Sequence, residues 1–305
     1  MKKKKKQAVI LLGVLVILLA ALFALRTVNR KTEEAETKKA AEQKIYVTDI
    51  SDMTKIRYQS GTDGMTFEKT ADQETWIYME DPDFPLAQQY PEEMENTFEK
   101  LEVKRELKDG DELSSYGLDE PQYQVTLTDQ DGTETTLYFG NAVDDGYYLT
   151  VDDTKTVYTV GNVIDVFQHS LEEMAQLDEY PNIGSGNLKK ETITQNGGTT
   201  TYDSENEDDA EAIVAVAGGL GAVKLSSAAD YSVADADLAK YSLDETARIT
   251  VEAVYTENDK ENVLRLYIGS NDGSGNRYVM INDSRIVYLI SEEICDNILN
   301  AGEEQ

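Results

Sequence analysis

Tyr116-Gly117-Leu118-Asp119-Glu120 returns 125 residues later as Tyr241-Ser242-Leu243-Asp244-Glu245, and three further blocks follow each copy in the same order. Leu137-Tyr138-Phe139-Gly140 matches Leu266-Tyr267-Ile268-Gly269, Tyr148 matches Tyr278, and Val157-Tyr158 matches Val287-Tyr288. The offsets are 125, 129, 130 and 130, so the register changes only inside two turn-like stretches. These are Asp129-Gln130-Asp131-Gly132 against the longer Tyr255 to Asn262, and Asp144-Asp145-Gly146 against Asn271 to Asn276. Insertions confined to turns are what a shared strand framework tolerates. The repeat therefore reads as a duplicated structural unit.

Each copy has the same predicted elements. Gln124 to Thr128 and Thr135 to Phe139 are short β-rich runs around an Asp-Gly turn, which is a hairpin pattern. Tyr147 to Val151 and Thr156 to Val160 make a second hairpin around Asp152-Asp153. Val163, Val166, Phe167, Leu171 and Met174 then fall at helical spacing. In the second copy the strands are Arg248 to Tyr255, Val263 to Ile268, Tyr278 to Ile281 and Ile286 to Ile290. Ser291 is the expected N-cap of a last helix, with Glu292 and Glu293 in its first turn. Upstream, Lys55 to Tyr58, Thr66 to Lys69 and Trp76 to Met79 read as strands and Glu92 to Leu101 as a helix. Their looser counterparts are the hairpin Glu191 to Gln195 with Thr199 to Asp203 and the helix Asp208 to Leu220. The expected class is α+β: two tandem similar units of antiparallel β-sheet with helices, over residues 46–180 and 181–305.

The N-terminus sets the compartment. Five lysines precede Ala8 to Leu25, a run of eighteen residues without a polar side chain. At about 1.5 Å per residue it spans roughly 27 Å of helix, close to the ~30 Å hydrocarbon core. Leu22-Phe23-Ala24 fits a signal-peptide cleavage site poorly, and no Cys follows to carry a lipid. Residues 1–7 are therefore read as a cytoplasmic basic tail, 8–25 as a transmembrane signal anchor and 26–45 as a polar linker. The lysine block favours a cytoplasmic N-terminus, with the bulk of the chain outside the cytoplasm as a single-pass membrane protein.

Composition narrows the function. The 305 residues, 40% hydrophobic and 29% charged, with 18 Tyr and 5 Pro, suit a folded body. Eight of the 28 basic side chains lie in residues 1–31, which hold no acid. The remainder carries 20 basic against 59 acidic groups, a balance of −39. Such a body repels phosphate backbones, which excludes a nucleic-acid partner. One Cys and one His leave no intrachain disulfide, no Cys/His zinc site and no Cys-His dyad other than Cys295 with His169.

The ladder from Tyr116-Gly-Leu-Asp-Glu-Pro121 through Asp131-Gly132, Leu137-Tyr-Phe-Gly140 and Tyr147-Tyr148 to Val157-Tyr158 resembles the bacterial family described as domain of unknown function 4340, over roughly residues 55–290. The second copy departs from that pattern, with Ser242 for the glycine and Thr246 for the proline. The resemblance implies an envelope protein with one N-terminal membrane helix, often encoded beside ABC transporter subunits. It carries no established catalytic residues.

Other motifs fall short of a chemistry. Gly218-Gly219-Leu220-Gly221-Ala222-Val223-Lys224 lacks the Gly-Lys-Ser/Thr of a phosphate loop and reads as a helix end or tight turn. Asn182-Ile183-Gly184-Ser185-Gly186 lacks the spacing of a nucleophile elbow. His169 reads as partly exposed on the helix after Phe167, and Cys295 as a buried structural thiol. Asp129-x-Asp131-Gly132-x-Glu134 starts like a calcium loop but has no Glu at the twelfth position, so the hairpin reading prevails. Ser204 to Glu211 reads as a solvated loop and helix start. No spacing singles out a carboxylate pair for glycoside hydrolysis. Tyr138, Tyr148, Tyr158, Tyr267, Tyr278 and Tyr288 alternate within strands, which is cross-strand packing.

No catalytic, cofactor-binding or metal-binding residue is assigned, and binding residues stay unnamed. The expected function is that of a non-catalytic, membrane-anchored extracytoplasmic accessory protein, partnered with ABC transporter subunits or an envelope complex. The alternative is a cell-wall glycan-binding protein or a carboxylate-dependent glycan hydrolase.

Overall fold

The computed structural model describes residues 44–300 apart from 109 and 153. The basic tail, the anchor at 8–25 and most of the linker lie outside the described residues. Among the described residues no helix is long and apolar enough to cross a membrane. The fold is mostly β-sheet with a few helices, and its two large sheets are antiparallel.

The strands in chain order are β1 (Ile45–Tyr46), β2 (Met53–Ser60), β3 (Asp63–Lys69), β4 (Trp76–Tyr78), β5 (Glu102–Val103), β6 (Arg105–Leu107), β7 (Tyr123–Asp129), β8 (Glu134–Val143), β9 (Gly146–Val151) and β10 (Val157–Gly161). They continue with β11 (Leu188–Gln195), β12 (Gly198–Asp203), β13 (Ala228–Asp230), β14 (Ile249–Glu257), β15 (Lys260–Asn271), β16 (Asn276–Ile281) and β17 (Val287–Ser291). The first sheet has the order β4-β3-β2-β7-β8-β9-β10-β6 and the second β12-β11-β14-β15-β16-β17-β13, while β1 pairs with β5 alone. Leaving out β4, the two orders correspond strand for strand. By compactness the chain divides into residues up to Gly64 with Glu93–Phe167, and Met65–Glu92 with the residues from Gln168 onward.

The correspondence extends to backbone detail. The ladder slips between Phe139 and Ala142 in β8 and between Ile268 and Asn271 in β15, immediately around Gly140 and Gly269. A side chain at either glycine is impossible without a shift: a Cβ would sit 2.2 Å from the Tyr116 carbonyl oxygen at Gly140 and 2.1 Å from that of Tyr241 at Gly269. Gly117 (φ 69) and Ser242 (φ 56) end matching 3-10 helices in the left-handed region, where a serine pays about 1 kcal/mol or more that glycine does not. The rings of Tyr116 and Tyr148 lie 4.8 Å apart, those of Tyr241 and Tyr278 4.9 Å.

The two longer helices each bury one face. In Gln89–Glu99, Met94 and Phe98 are four residues apart on one face and fully buried. In Ala210–Ala222, Val216 and Leu220 are spaced likewise, and each such burial is worth roughly 1.5–3 kcal/mol. They join Val251, Leu266, Ile281 and Ile298 in one core beneath the second sheet. The opposite face of that sheet carries a smaller cluster of Val233, Tyr241, Leu243, Met280 and Val287.

The stretch from Val163 to Met174 is not one helix. A 3-10 helix, Val163–Phe167, is followed by a separate short helix, Leu171–Met174. The Ser170 hydroxyl accepts from the Glu173 N–H, and the Glu173 carboxylate accepts from the Ser170 N–H, so a capping box restarts the helix there. Apolar spacing alone does not register that break.

Candidate functional site

A groove recurs at the same place in both sheets. In the first it measures about 330 Å³ and is lined by Leu113, Leu118, Asp119, Tyr138, Thr150 and Lys155. In the second it measures about 500 Å³, and the corresponding positions are Leu238, Leu243's neighbour Asp244, Tyr267, Met280 and Arg285. Each is formed where the segment around the 3-10 helix (Leu113–Tyr116 or Asp235–Tyr241) crosses the outer face of two neighbouring strands. Leu118 and Leu243 are buried and anchor that segment, whereas Tyr138 and Tyr267 are half-buried on the strands.

Several polar groups of the grooves are engaged with their own chain. The Asp244 carboxylate accepts from the Thr246 hydroxyl and N–H, which holds its pKa below the usual carboxylate range. Asp152 and Asn282 (φ 49 and 45) occupy matching turns, and their side chains accept from the Thr136 N–H at 2.7 Å and the Arg265 N–H at 3.0 Å. The Arg248 guanidinium lies 4.1 Å from the Tyr267 ring centroid, and Arg285 donates to Asp235 at 2.7 Å. Lys155 is exposed. These surfaces offer an apolar floor with a charged rim.

The groups considered from sequence take structural places. Cys295 is buried in the helix Glu292–Leu299, where desolvation pushes its thiol up to about 11. His169 is half-buried in the turn before Ser170, its ring 4.8 Å from Tyr90 and tilted edge-on. Gly218, Gly219 and Gly221 lie inside the helix Ala210–Ala222. A Cβ at Gly219 would sit 3.0 Å from Ile298, so this glycine lets the last helix approach closely. The loop at 182–186 is closed by Asn187, which accepts from the Gly184 N–H and donates to the Asn182 carbonyl. Asp129 accepts from the N–H groups of Asp131 and Thr133, both at 2.9 Å, as a hairpin turn requires. Within Ser204 to Glu211, Asn206 caps a 3-10 turn and Asp209 accepts from the Asp203 N–H. Among the described residues no group of three or more His, Cys, Asp or Glu is placed to hold a metal ion.

One group escaped the sequence reading altogether. Glu191 on β11 is 0% exposed, and neither carboxyl oxygen has a hydrogen-bond partner. It faces the core with Ile193 and pairs with Ala253 and Tyr202. Burial pushes its pKa up to about 8, so it is a neutral acid at pH 7. The matching ladder position of the first sheet, opposite Leu127, is Ile56. That mismatch between copies was the available signal.

Comparison with curated proteins finds no match, and neither does comparison with solved structures. A family model described as "Domain of unknown function (DUF4340)" matches twice, over residues 76–212 and 199–302. The two matches together cover more than half of the chain, which belongs to this family.

Proposed function

We propose that the protein is a non-catalytic, membrane-anchored extracytoplasmic interaction protein that serves an ABC-type transporter or envelope complex. In this reading Ala8 to Leu25 is the anchor, and the body is a tandem duplication that presents the same kind of surface twice. The observation that carries it is the recurrence of one groove on two like sheets, with Asp152 in the first and Asp244 and Asn282 in the second bonded into local turns. Asp152 and Asp244 serve the backbone as turn acceptors. Tethering beside another membrane protein raises the effective concentration of even a weak contact. The acidic body favours a partner surface bearing Lys or Arg, with association screened over about 8 Å at physiological salt.

The test is co-purification in mild detergent of the full-length protein and of a version lacking residues 1–31. Transporter subunits recovered with the intact protein, and lost as salt is raised, support the reading. If the intact protein emerges alone and its body binds or cleaves cell-wall glycan, the glycan reading replaces it.

A further inference from the structure

The edge of the second sheet carries an inference of its own, independent of the transporter reading. β12 is the terminal strand there, joined to β11 by Asn196-Gly197, whose φ angles of 51 and 78 make a tight two-residue turn. Gln195 and Gly198 close that hairpin, so the backbone groups of Gly198, Thr200 and Tyr202 point to β11. Those of Thr199, Thr201 and Asp203 point outward. The Asp203 N–H is taken by Asp209 at 2.9 Å, whereas Thr199 and Thr201 lie in an exposed run from Gly198 to Thr201.

Sheet edges are normally guarded by charge, proline, a bulge or a covering element. Gly197 to Tyr202 holds no charged residue and no proline, and its ladder with β11 has no slip beyond Lys190. The opposite edge, β13, is three residues long with a register shift. In the first sheet the counterpart strand β3 is covered by β4, with Phe67 opposite Tyr78 and Lys69 opposite Trp76. β12 alone is bare.

We propose that a second copy of this chain covers it, the two β12 strands pairing antiparallel about a two-fold axis at Thr200. This register sets Thr199 opposite Thr201, Thr200 opposite itself, Gly198 opposite Tyr202 and Gly197 opposite Asp203. No carboxylate meets a carboxylate. On a body with a balance of −39 beyond residue 31, most faces would bring like charges together, and this uncharged run does not. The outward groups of Thr199 and Thr201 then exchange hydrogen bonds, leaving the Thr200 pair as the close, non-hydrogen-bonded one with Cα atoms about 4.5 Å apart. That spacing lies within disulfide range.

The experiment is mild oxidation of full-length Thr200→Cys in detergent, beside Thr199→Cys, with mass by light scattering. Cys295 is buried and does not compete. A covalent dimer at position 200 and at least several-fold less at 199 is expected. Thr201→Pro removes an N–H that points away from β11, so the internal ladder stays intact while the dimer is lost. Thr200→Lys, which opposes two charges, should abolish it as well, and far-UV circular dichroism confirms folding. A monomeric mass for the wild-type chain overturns the proposal. So does a dimer that neither links at 200 nor responds to Thr201→Pro or Thr200→Lys.

Discussion

Glu191→Ile exchanges a buried acid for the residue that the first sheet carries at the same ladder position. In the folded protein both carboxyl oxygens are buried without a partner, and burial raises the pKa from 4.5 to about 8. Between those values the folded protein holds a proton that the unfolded chain has released, so stability falls as pH rises through the window and levels off above about 8. At about 1.4 kcal/mol per pH unit, retaining that proton costs about 3 kcal/mol at pH 7. Total stabilities of domains are only ~5–15 kcal/mol, so the effect is large. The other acidic groups titrate alike in wild type and variant, and the difference between the two isolates this one. Urea unfolding followed by far-UV circular dichroism should show the advantage of Glu191→Ile widening by about 3 kcal/mol between pH 5 and pH 8. Glu191→Gln should widen similarly, without the apolar gain, because it also removes the titration. Parallel stability curves across that range would refute the reasoning, since they would mean that the side chain ionises in the fold at its ordinary pH.

Two further outcomes follow from the glycines. Gly219→Ala should destabilise by about 1–3 kcal/mol, because its Cβ meets Ile298 and Asn297 at 3.0–3.1 Å, whereas Gly218→Ala, with open space around it, should stabilise by up to about 1 kcal/mol in thermal unfolding. Gly140→Ala and Gly269→Ala should each cost about 2 kcal/mol or more, with similar losses at the two sites, as measured by chemical denaturation; an unequal pair would break the equivalence of the two bulges.

Much of the fold was legible because its turns and periods are local. Asp131-Gly132 and the regular alternation of Val125, Leu127, Leu137 and Phe139 carry the hairpin in a few residues, and all four side chains are buried. The strand order was not legible, because β6 and β13 are three residues each and gain their place only from the neighbouring strand. The grooves were illegible for a related reason. Their linings come from three separated stretches, around Leu118, Tyr138 and Thr150 in the first sheet, which meet only once the sheet has formed. Leu118, Asp119 and Tyr138 did stand in the repeated blocks, although the blocks alone do not separate groove residues from packing residues. Glu191 was missed because a charged side chain at a strand start reads as solvated; its burial depends on the helix Ala210–Ala222, which packs against β11 and β12.

A duplicated chain supplies its own comparison. Where the two copies agree, the agreement has a backbone cause: Gly140 and Gly269 admit a carbonyl, Gly117 and Ser242 turn left-handed, and Asp152 and Asn282 close the same turn. Such positions maintain the scaffold that forms the two grooves. Three differences cluster. Ile56 gives way to Glu191 on β11; the covered β3 gives way to the bare β12; and the helix exposing Glu92, Glu93 and Glu99 gives way to one exposing Val214, Ala215 and Gly218. These changes share one side of one sheet, since Glu191 pairs with Tyr202 on β12 and the helix lies against both strands. A neutral acid there adds no charge beside the edge proposed to meet a second acidic chain. An ionised one would place a carboxylate one strand away from the edge. Burial, which raises the pKa of Glu191 to about 8, favours its neutral form at pH 7 one strand away from that edge.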